Sequence, residues 1–234
     1  MSDIGPRRTR TDPGTATGAG TRAATGSGTA APRAWTTTLV TGPVRSGKSR
    51  HAEDLLSDRS DVTYVATGQP LPPAGASGSL DPGDVEWRRR VESHRDRRPT
   101  AWRTVETTDL ALALDTATGP VLVDCLGTWL TAVVDATGWD DLEAAASAAR
   151  RETDRLVESL CRTSVPVVVV TNEVGWSLVP TTASGRLFQD ELGRLNARVA
   201  SVARHVHLVV AGRVLDLGDA PVLPHEPGRE TPDA

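Results

Sequence analysis

The stretch Gly42-Pro43-Val44-Arg45-Ser46-Gly47-Lys48-Ser49 fits the phosphate-binding pattern G-x-x-x-x-G-K-[ST] at every fixed position. Of the 26 Lys and Arg residues in the chain, Lys48 is the single lysine. Wherever else this protein needs a positive charge it uses arginine. A compact ammonium fits beside the β- and γ-phosphates of a nucleotide, in a slot too narrow for a planar guanidinium. The backbone N–H groups of the glycine-rich turn and of the helix that follows would cradle the phosphates. Ser49 would offer its hydroxyl to Mg²⁺. Gly42, Pro43, Val44, Arg45, Ser46, Gly47, Lys48 and Ser49 are therefore candidate nucleotide-binding residues, with Lys48 also a candidate catalytic group.

The flanks agree with that reading. Trp35-Thr36-Thr37-Thr38-Leu39-Val40-Thr41 is rich in β-branched residues and ends at the first motif glycine, so it predicts a strand. Arg50-His51-Ala52-Glu53-Asp54-Leu55-Leu56 predicts a helix with Ala52, Leu55 and Leu56 on one face. Four more short apolar runs, at 62–66, 120–124, 165–171 and 206–210, predict further strands. Near-continuous apolar strands imply burial on both faces. The expected fold is α/β and P-loop NTPase-like, a mostly parallel central sheet flanked by helices. Asp140, with Glu143 three residues on, predicts the start of a helix running to about Cys161. Phe188, Leu192, Leu195, Val199 and Val202 predict a second, with Arg186, Asp190, Arg194 and Arg198 on its solvated side.

At 234 residues the chain can bury the core of one α/β domain, expected over residues 35–218. A net charge of −4 and an aromatic content of 3% argue against a nucleic-acid partner. Cys125 and Cys161 lack metal-ligand spacing, which fits a reduced, cytoplasmic protein. No stretch is long and apolar enough to span a membrane, and no apolar leader segment is present. Residues 1–34 are rich in Gly, Ala and Thr, and residues 219–234 in Pro and acids; both read as disordered tails.

A Gly/Pro-rich loop at 69–83 follows the second strand and reads as an insertion more than as a lid. Residues 85–94 then predict a short helix that ends at His94, with Trp87, Val91 and His94 on its apolar face. Arg95-Asp96-Arg97-Arg98 follows at once. Two readings stand here: a phosphate site, or a partly buried histidine beside a solvated charge cluster. The residues by themselves favour the second.

A wider set of motifs shifts that balance. Thr41 to Arg50, Tyr64-Val65-Ala66-Thr67, Glu86 to Arg90, His94, Arg98-Pro99 and Trp102-Arg103-Thr104 occur in order. Leu122-Val123-Asp124-Cys125-Leu126, Val170-Thr171-Asn172-Glu173-Val174-Gly175 and Val179-Pro180 follow. Arg186-Leu187-Phe188-Gln189-Asp190 and Gly193-Arg194-Leu195-Asn196 complete the set. Together they resemble the bifunctional adenosylcobinamide kinase / adenosylcobinamide-phosphate guanylyltransferase of cobalamin biosynthesis, over roughly residues 37–217.

The resemblance implies two reactions. The first phosphorylates the aminopropanol hydroxyl of adenosylcobinamide with ATP or GTP. The second transfers GMP from GTP to that phosphate, giving adenosylcobinamide-GDP. It implies His94 as the residue that carries GMP, and nucleotide contacts at Gly42 to Ser49, Ala66, Thr67, Gly68, Arg95, Asp96, Arg97, Arg98, Glu106 and Asp124. Asp124, at the end of an apolar strand, joins Ser49 as a candidate Mg²⁺ ligand, and a homotrimer is implied as the assembly. Asn172 and Glu173 face the expected crevice at the end of the fourth strand and take a supporting role. Thr181 stands where the family commonly has an acid, and Gly175-Trp176-Ser177 is bulkier than usual, which concerns the corrinoid pocket. Residues alone also admit a P-loop kinase of another small alcohol or nucleoside, or a non-enzymatic nucleotide switch.

Overall fold

The apolar runs pair as expected, and two polar strands join them. The computed structural model describes residues 37–68, 89, 92, 95 and 97–223. The expected 1–34 tail, the 69–83 loop, His94, Asp96 and everything after residue 223 lie outside the described residues. The strands are β1 (Thr37–Thr41), β2 (Thr63–Ala66), β3 (Arg103–Glu106), β4 (Val121–Asp124), β5 (Val167–Val170), β6 (His205–Val210) and β7 (Arg213–Asp216). They form one sheet in the order β3-β2-β4-β5-β1-β6-β7. Every pairing is parallel except β6 with β7.

β3 and β7 are the sheet edges, and their residues are largely exposed. An edge strand needs no apolar run, so neither carried the signal that marks the inner five. β7 is joined to β6 by the tight turn Ala211-Gly212, where both residues have left-handed φ values of 49° and 69°. That twist suits a two-residue hairpin.

Helices whose full span lies among the described residues cover the sheet: α1 (Lys48–Asp54), α2 (Leu110–Asp115), α3 (Leu126–Thr137), α4 (Leu142–Arg162) and α5 (Ala183–Val202). The cap of α4 is Asp141, one residue later than the expected Asp140; its Oδ1 accepts from the Ala144 N–H at 2.9 Å. Glu143 therefore falls at the second helical position, and the expected reciprocal cap is not made. Arg89, Glu92, Arg95 and Arg97 are also helical, so Arg95 and Arg97, expected to follow the helix, are helical instead. α3 was not legible because it is apolar nearly all round and rich in β-branched residues, a composition shared with buried strands.

Alternation along the strands splits the core in two. Leu39, Val65, Val121, Val123, Val167 and Val169 point to one face and pack on α3, α4 and α5 through Trp129, Leu130, Ala149, Leu156, Leu192 and Leu195. Val40, Tyr64, Leu122, Val168 and Val170 point to the other, under Ala52 and Leu56 of α1 and the ring of Trp102. Each such aliphatic side chain contributes about 1.5–3 kcal/mol when fully buried. α1 has only seven residues, too few to stand by propensity, so its packing on this second face is what keeps it helical. Among the described residues no helix is long and apolar enough to cross a membrane.

Candidate active site

The turn from β1 into α1 is built by two glycines in conformations that L side chains avoid. Gly42 has φ 151°, and a Cβ there would run into the carbonyl oxygen of Val209 in β6. Gly47, at φ 97°, caps α1 and lets its carbonyl accept from the His51 N–H at 3.0 Å. Arg45 between them is also left-handed, at φ 60°. The loop is thus wrapped tightly, with Lys48 only 8% exposed and its Nζ donating to the Pro43 carbonyl at 3.2 Å. Ser46 Oγ is buried and makes no hydrogen bond to any described residue. A buried hydroxyl left in that state costs about 1–3 kcal/mol, which an acceptor such as a phosphate oxygen would recover.

Register brings the other candidates to the same end of the sheet. Ala66 pairs with Glu106 on one side and with Asp124 on the other, so the carboxyl ends of β3, β2 and β4 form one row. Direct partners share a face, and this is the face that α1 covers. Tyr64, two residues back along β2, donates its hydroxyl to Asp124 Oδ2 at 3.0 Å. Burial first, and then the Asp124 carboxylate, push the Tyr64 hydroxyl far above its usual range, so it remains a donor.

The arginine run lies over this row. The guanidinium of Arg98 stacks on the Tyr64 ring, 3.4 Å from its centroid, while NH1 donates to Thr104 Oγ1 at 3.3 Å. Arg97 Nε donates to Glu53 Oε2 of α1 at 3.3 Å. Arg95 pairs at 3.4 Å with Glu106, and both are exposed. Burial raises the Glu53 carboxyl above its usual range; the Arg97 hydrogen bond and charge pull the other way, and Asp124 adds to the rise. Glu53 and Tyr64 were not among the expected site residues. Tyr64 is the only tyrosine in the sequence, but nothing in its strand distinguishes a structural from a functional ring.

Thr67 is placed differently from its neighbours. Its hydroxyl is fully buried, donates to the Cys125 carbonyl at 2.7 Å and lies 2.7 Å from Thr128 Oγ1. It orders the turn between β4 and α3, while Ala66 and Gly68 flank it at the end of β2. Beyond β5, Thr41 Oγ1 donates to Glu173 Oε1 at 2.6 Å, and the Glu173 N–H donates to the Gly42 carbonyl at 3.1 Å. Asn196 of α5 completes the tie. Its Oδ1 accepts from Thr171 Oγ1 at 2.6 Å, and its Nδ2 donates to the Asn172 carbonyl at 3.0 Å and to Glu173 Oε1 at 3.3 Å. Glu173 therefore sits at the base of the phosphate loop, held from three sides.

This is a loop shaped for phosphates beside a row of carboxylates, overlaid by arginines. Residues 38–217 match the family described as cobinamide kinase / cobinamide phosphate guanyltransferase. The chain belongs to that family. It is 40% identical over 184 residues to the bifunctional adenosylcobalamin biosynthesis protein CobU of Escherichia coli (strain K12), covering 74% of this chain and 95% of that protein. The corresponding CobU of Salmonella typhimurium is 39% identical with the same coverage. The bifunctional adenosylcobalamin biosynthesis protein CobP of Pseudomonas aeruginosa is 34% identical, covering 79% of this chain and 98% of that protein. The matched span contains every candidate residue named above, His94 and Asp96 included. Among solved structures, the P4 protein from bacteriophage phi6 in complex with ADP is similar at a TM-score of 0.36 and 16% identity, covering 76% of this chain and 53% of that one. A type III secretion system ATPase is similar at 0.41 and 12%, covering 75% and 51%. At those scores they add nothing to the topology already described.

Proposed function

We propose that one crevice carries both reactions of the family. In the first, the aminopropanol hydroxyl of adenosylcobinamide takes the γ-phosphoryl group of ATP or GTP. In the second, GMP passes from GTP to that new phosphate through His94. The observation that most supports this is the contact of the arginine run with the phosphate-loop side of the sheet: Arg97 on Glu53 of α1, and Arg98 on the ring that holds Asp124. His94 adjoins Arg95 in the chain. A histidine there would work beside the same bound phosphates as Lys48.

Phosphoryl transfer leaves little covalent work for protein groups, so positioning and charge do most of it. The backbone N–H groups of Gly42, Val44, Arg45, Ser46 and Gly47 would wrap the β- and γ-phosphates, with Pro43 shaping the turn and Ser46 Oγ gaining its acceptor. Lys48 would exchange the Pro43 carbonyl for phosphate oxygens. The hard oxygen donors Ser49 and Asp124 suit Mg²⁺, which when bound neutralises charge on the β- and γ-phosphates. Tyr64 keeps the Asp124 carboxylate aimed by donating to one of its oxygens. Arg95, Arg97 and Arg98 would hold the triphosphate of GTP for the second reaction, with Ala66, Thr67, Gly68, Asp96 and Glu106 lining the nucleotide.

In that reaction an imidazole nitrogen of His94 attacks the α-phosphorus of GTP. A P–N bond forms, the bond to the β-phosphate oxygen breaks, and pyrophosphate leaves. A phosphate oxygen of adenosylcobinamide phosphate then attacks the same phosphorus and returns the electron pair of the P–N bond to the ring. Splitting one displacement into two holds GMP between acceptors. The cytoplasm, where ATP and GTP are available, and a homotrimer belong to the same reading.

Mass spectrometry of the protein after GTP and Mg²⁺ tests it. One GMP should be added, on His94, stable to alkali and lost in acid. His94→Ala should lose the adduct and guanylyl transfer while retaining nucleotide binding. Adduct formation should fall below about pH 6.5, where an imidazole protonates and loses its lone pair. Acid-labile GMP on His94→Ala would place the nucleophile elsewhere.

A further inference from the structure

The β6–β7 hairpin holds a constellation that neither reaction uses. His205 and His207 are two apart on β6 and so share a face, and Asp216 of β7 is the direct partner of His207. Asp216 Oδ2 lies 3.9 Å from His205 Nδ1 and 3.9 Å from His207 Nε2. Among the described residues these three form a group whose ligating atoms all lie within 4.8 Å of one another. At such distances the three are not hydrogen-bonded to each other. They converge at a spacing that an ion bridges and a proton does not.

The far atoms of Asp216 and His207 are held. Asp216 Oδ1 accepts from the Gly218 N–H at 2.9 Å, which leaves Oδ2 to face both rings. His207 Nδ1 is 2.9 Å from Nε2 of His51 in α1, which leaves His207 Nε2 to face the carboxylate. Metal-binding imidazoles and carboxylates are oriented in this way by partners on their far atoms. Ligands on a tetrahedral zinc stand roughly 3.3 Å apart, given Zn–N and Zn–O bonds of about 2.0–2.2 Å. Closing from the observed spacing needs only a small rotation of the more exposed side chains, Asp216 and His205, toward His207.

We infer that His205, His207 and Asp216 form a binding site for a divalent first-row transition ion of the zinc class. Two imidazoles and one carboxylate suit that class and are a poor match to Mg²⁺, which prefers an all-oxygen shell. The site is thus chemically distinct from Ser49 and Asp124. Three protein ligands leave a coordination position for water. With Nε2 on the ion, His207 carries its proton on Nδ1, and that N–H donates a hydrogen bond to His51 Nε2. The ion is then tied to the helix that begins at Lys48, and binding there stiffens the seat of the phosphate loop.

The experiment is a calorimetric titration of Zn²⁺ into the metal-stripped full chain, without nucleotide and with excess Mg²⁺ present. One Zn²⁺ per chain is expected. His205→Ala and Asp216→Asn should each weaken binding about 10²-fold, and His51→Ala about tenfold through lost orientation of His207. Absence of stoichiometric binding, or unchanged affinity in both ligand variants, would overturn the inference. A readout on the unmutated protein guards against variants that fail to fold: Zn²⁺ should shield His205 from diethyl pyrocarbonate, mapped by mass spectrometry. Equal labelling of His205 with and without Zn²⁺ would equally overturn it.

Discussion

Lys48 and Glu53 lie on the same short helix, and their environments call for opposite treatment. The Lys48 ammonium rests on the Pro43 carbonyl in a loop shaped by two glycines, so its charge is pre-positioned. Lys48→Ala should lower kinase turnover by about 10²-fold or more, as loss of other pre-positioned charges does. Lys48→Arg should recover little of it, because the guanidinium is wider than the slot; full activity in the arginine variant would refute the geometric argument. Glu53 is a buried carboxylate whose folded form takes up a proton above the ordinary value of 4.5, chiefly through burial. A carboxyl with a raised folded value favours the fold when protonated. Its contribution is therefore lost as pH rises from 4.5 through the higher folded value. Glu53→Gln imitates the protonated form, so its melting temperature relative to the parent should climb as pH rises above 4.5 and level off once Glu53 is ionised in the fold. A difference that is flat or falls with pH would mean that the Arg97 pair outweighs burial. Neither Glu53 nor Tyr64 could be picked from the sequence, because their roles come from neighbours 44 and 60 positions away.

At the scale of elements, the phosphate loop owes its shape to its supports. β6 closes against Gly42 from one side, and the segment after β5 braces it from the other through Glu173. That segment has no regular structure and is fixed by Asn196 of α5, which engages Thr171, Asn172 and Glu173 together. Asn196→Ala should cost about 2–3 kcal/mol, since it leaves buried partners on the loop unsatisfied. Kinase turnover should fall with it, as Glu173 loses one of its ties. Chemical denaturation and steady-state kinetics on the same preparation would show both losses; a variant with parental stability and rate would remove the tie from the account. The α4–α5 contact is different. Glu191 accepts from Arg150 and Arg194 there, but both arginines are more than half exposed, so screening makes that pair a minor contributor.

On the scale of the whole molecule, the single chain leaves apolar surface in water close to the crevice. Trp176, Leu178 and Val179 follow the Glu173 segment, with Leu178 92% exposed. A contiguous apolar loop of this kind is ordinarily covered by a partner. Sedimentation equilibrium should give a mass about three times that of the 24.7 kDa chain, in line with the proposed trimer. Replacing Leu178 and Val179 with serine should shift the population toward the single chain. A 24.7 kDa species at all concentrations would exclude the trimer.

Much of the fold was legible in residue order. The phosphate loop carries its own instructions in Gly42, Gly47 and Lys48, and the five inner strands declare themselves as short apolar or β-branched runs. The two edge strands left no such mark, since one side of each faces water and their pairing is the work of neighbours. α3 was hidden for the converse reason: apolar around most of its circumference, its composition does not separate helix from strand. What only tertiary structure decided is which distant residues meet. The register that aligns Glu106, Ala66 and Asp124 and the stacking of Arg98 on Tyr64 both depend on strand order. In a parallel sheet every connection crosses over, so spatial neighbours are separated by whole elements, and no local pattern of residues encodes them.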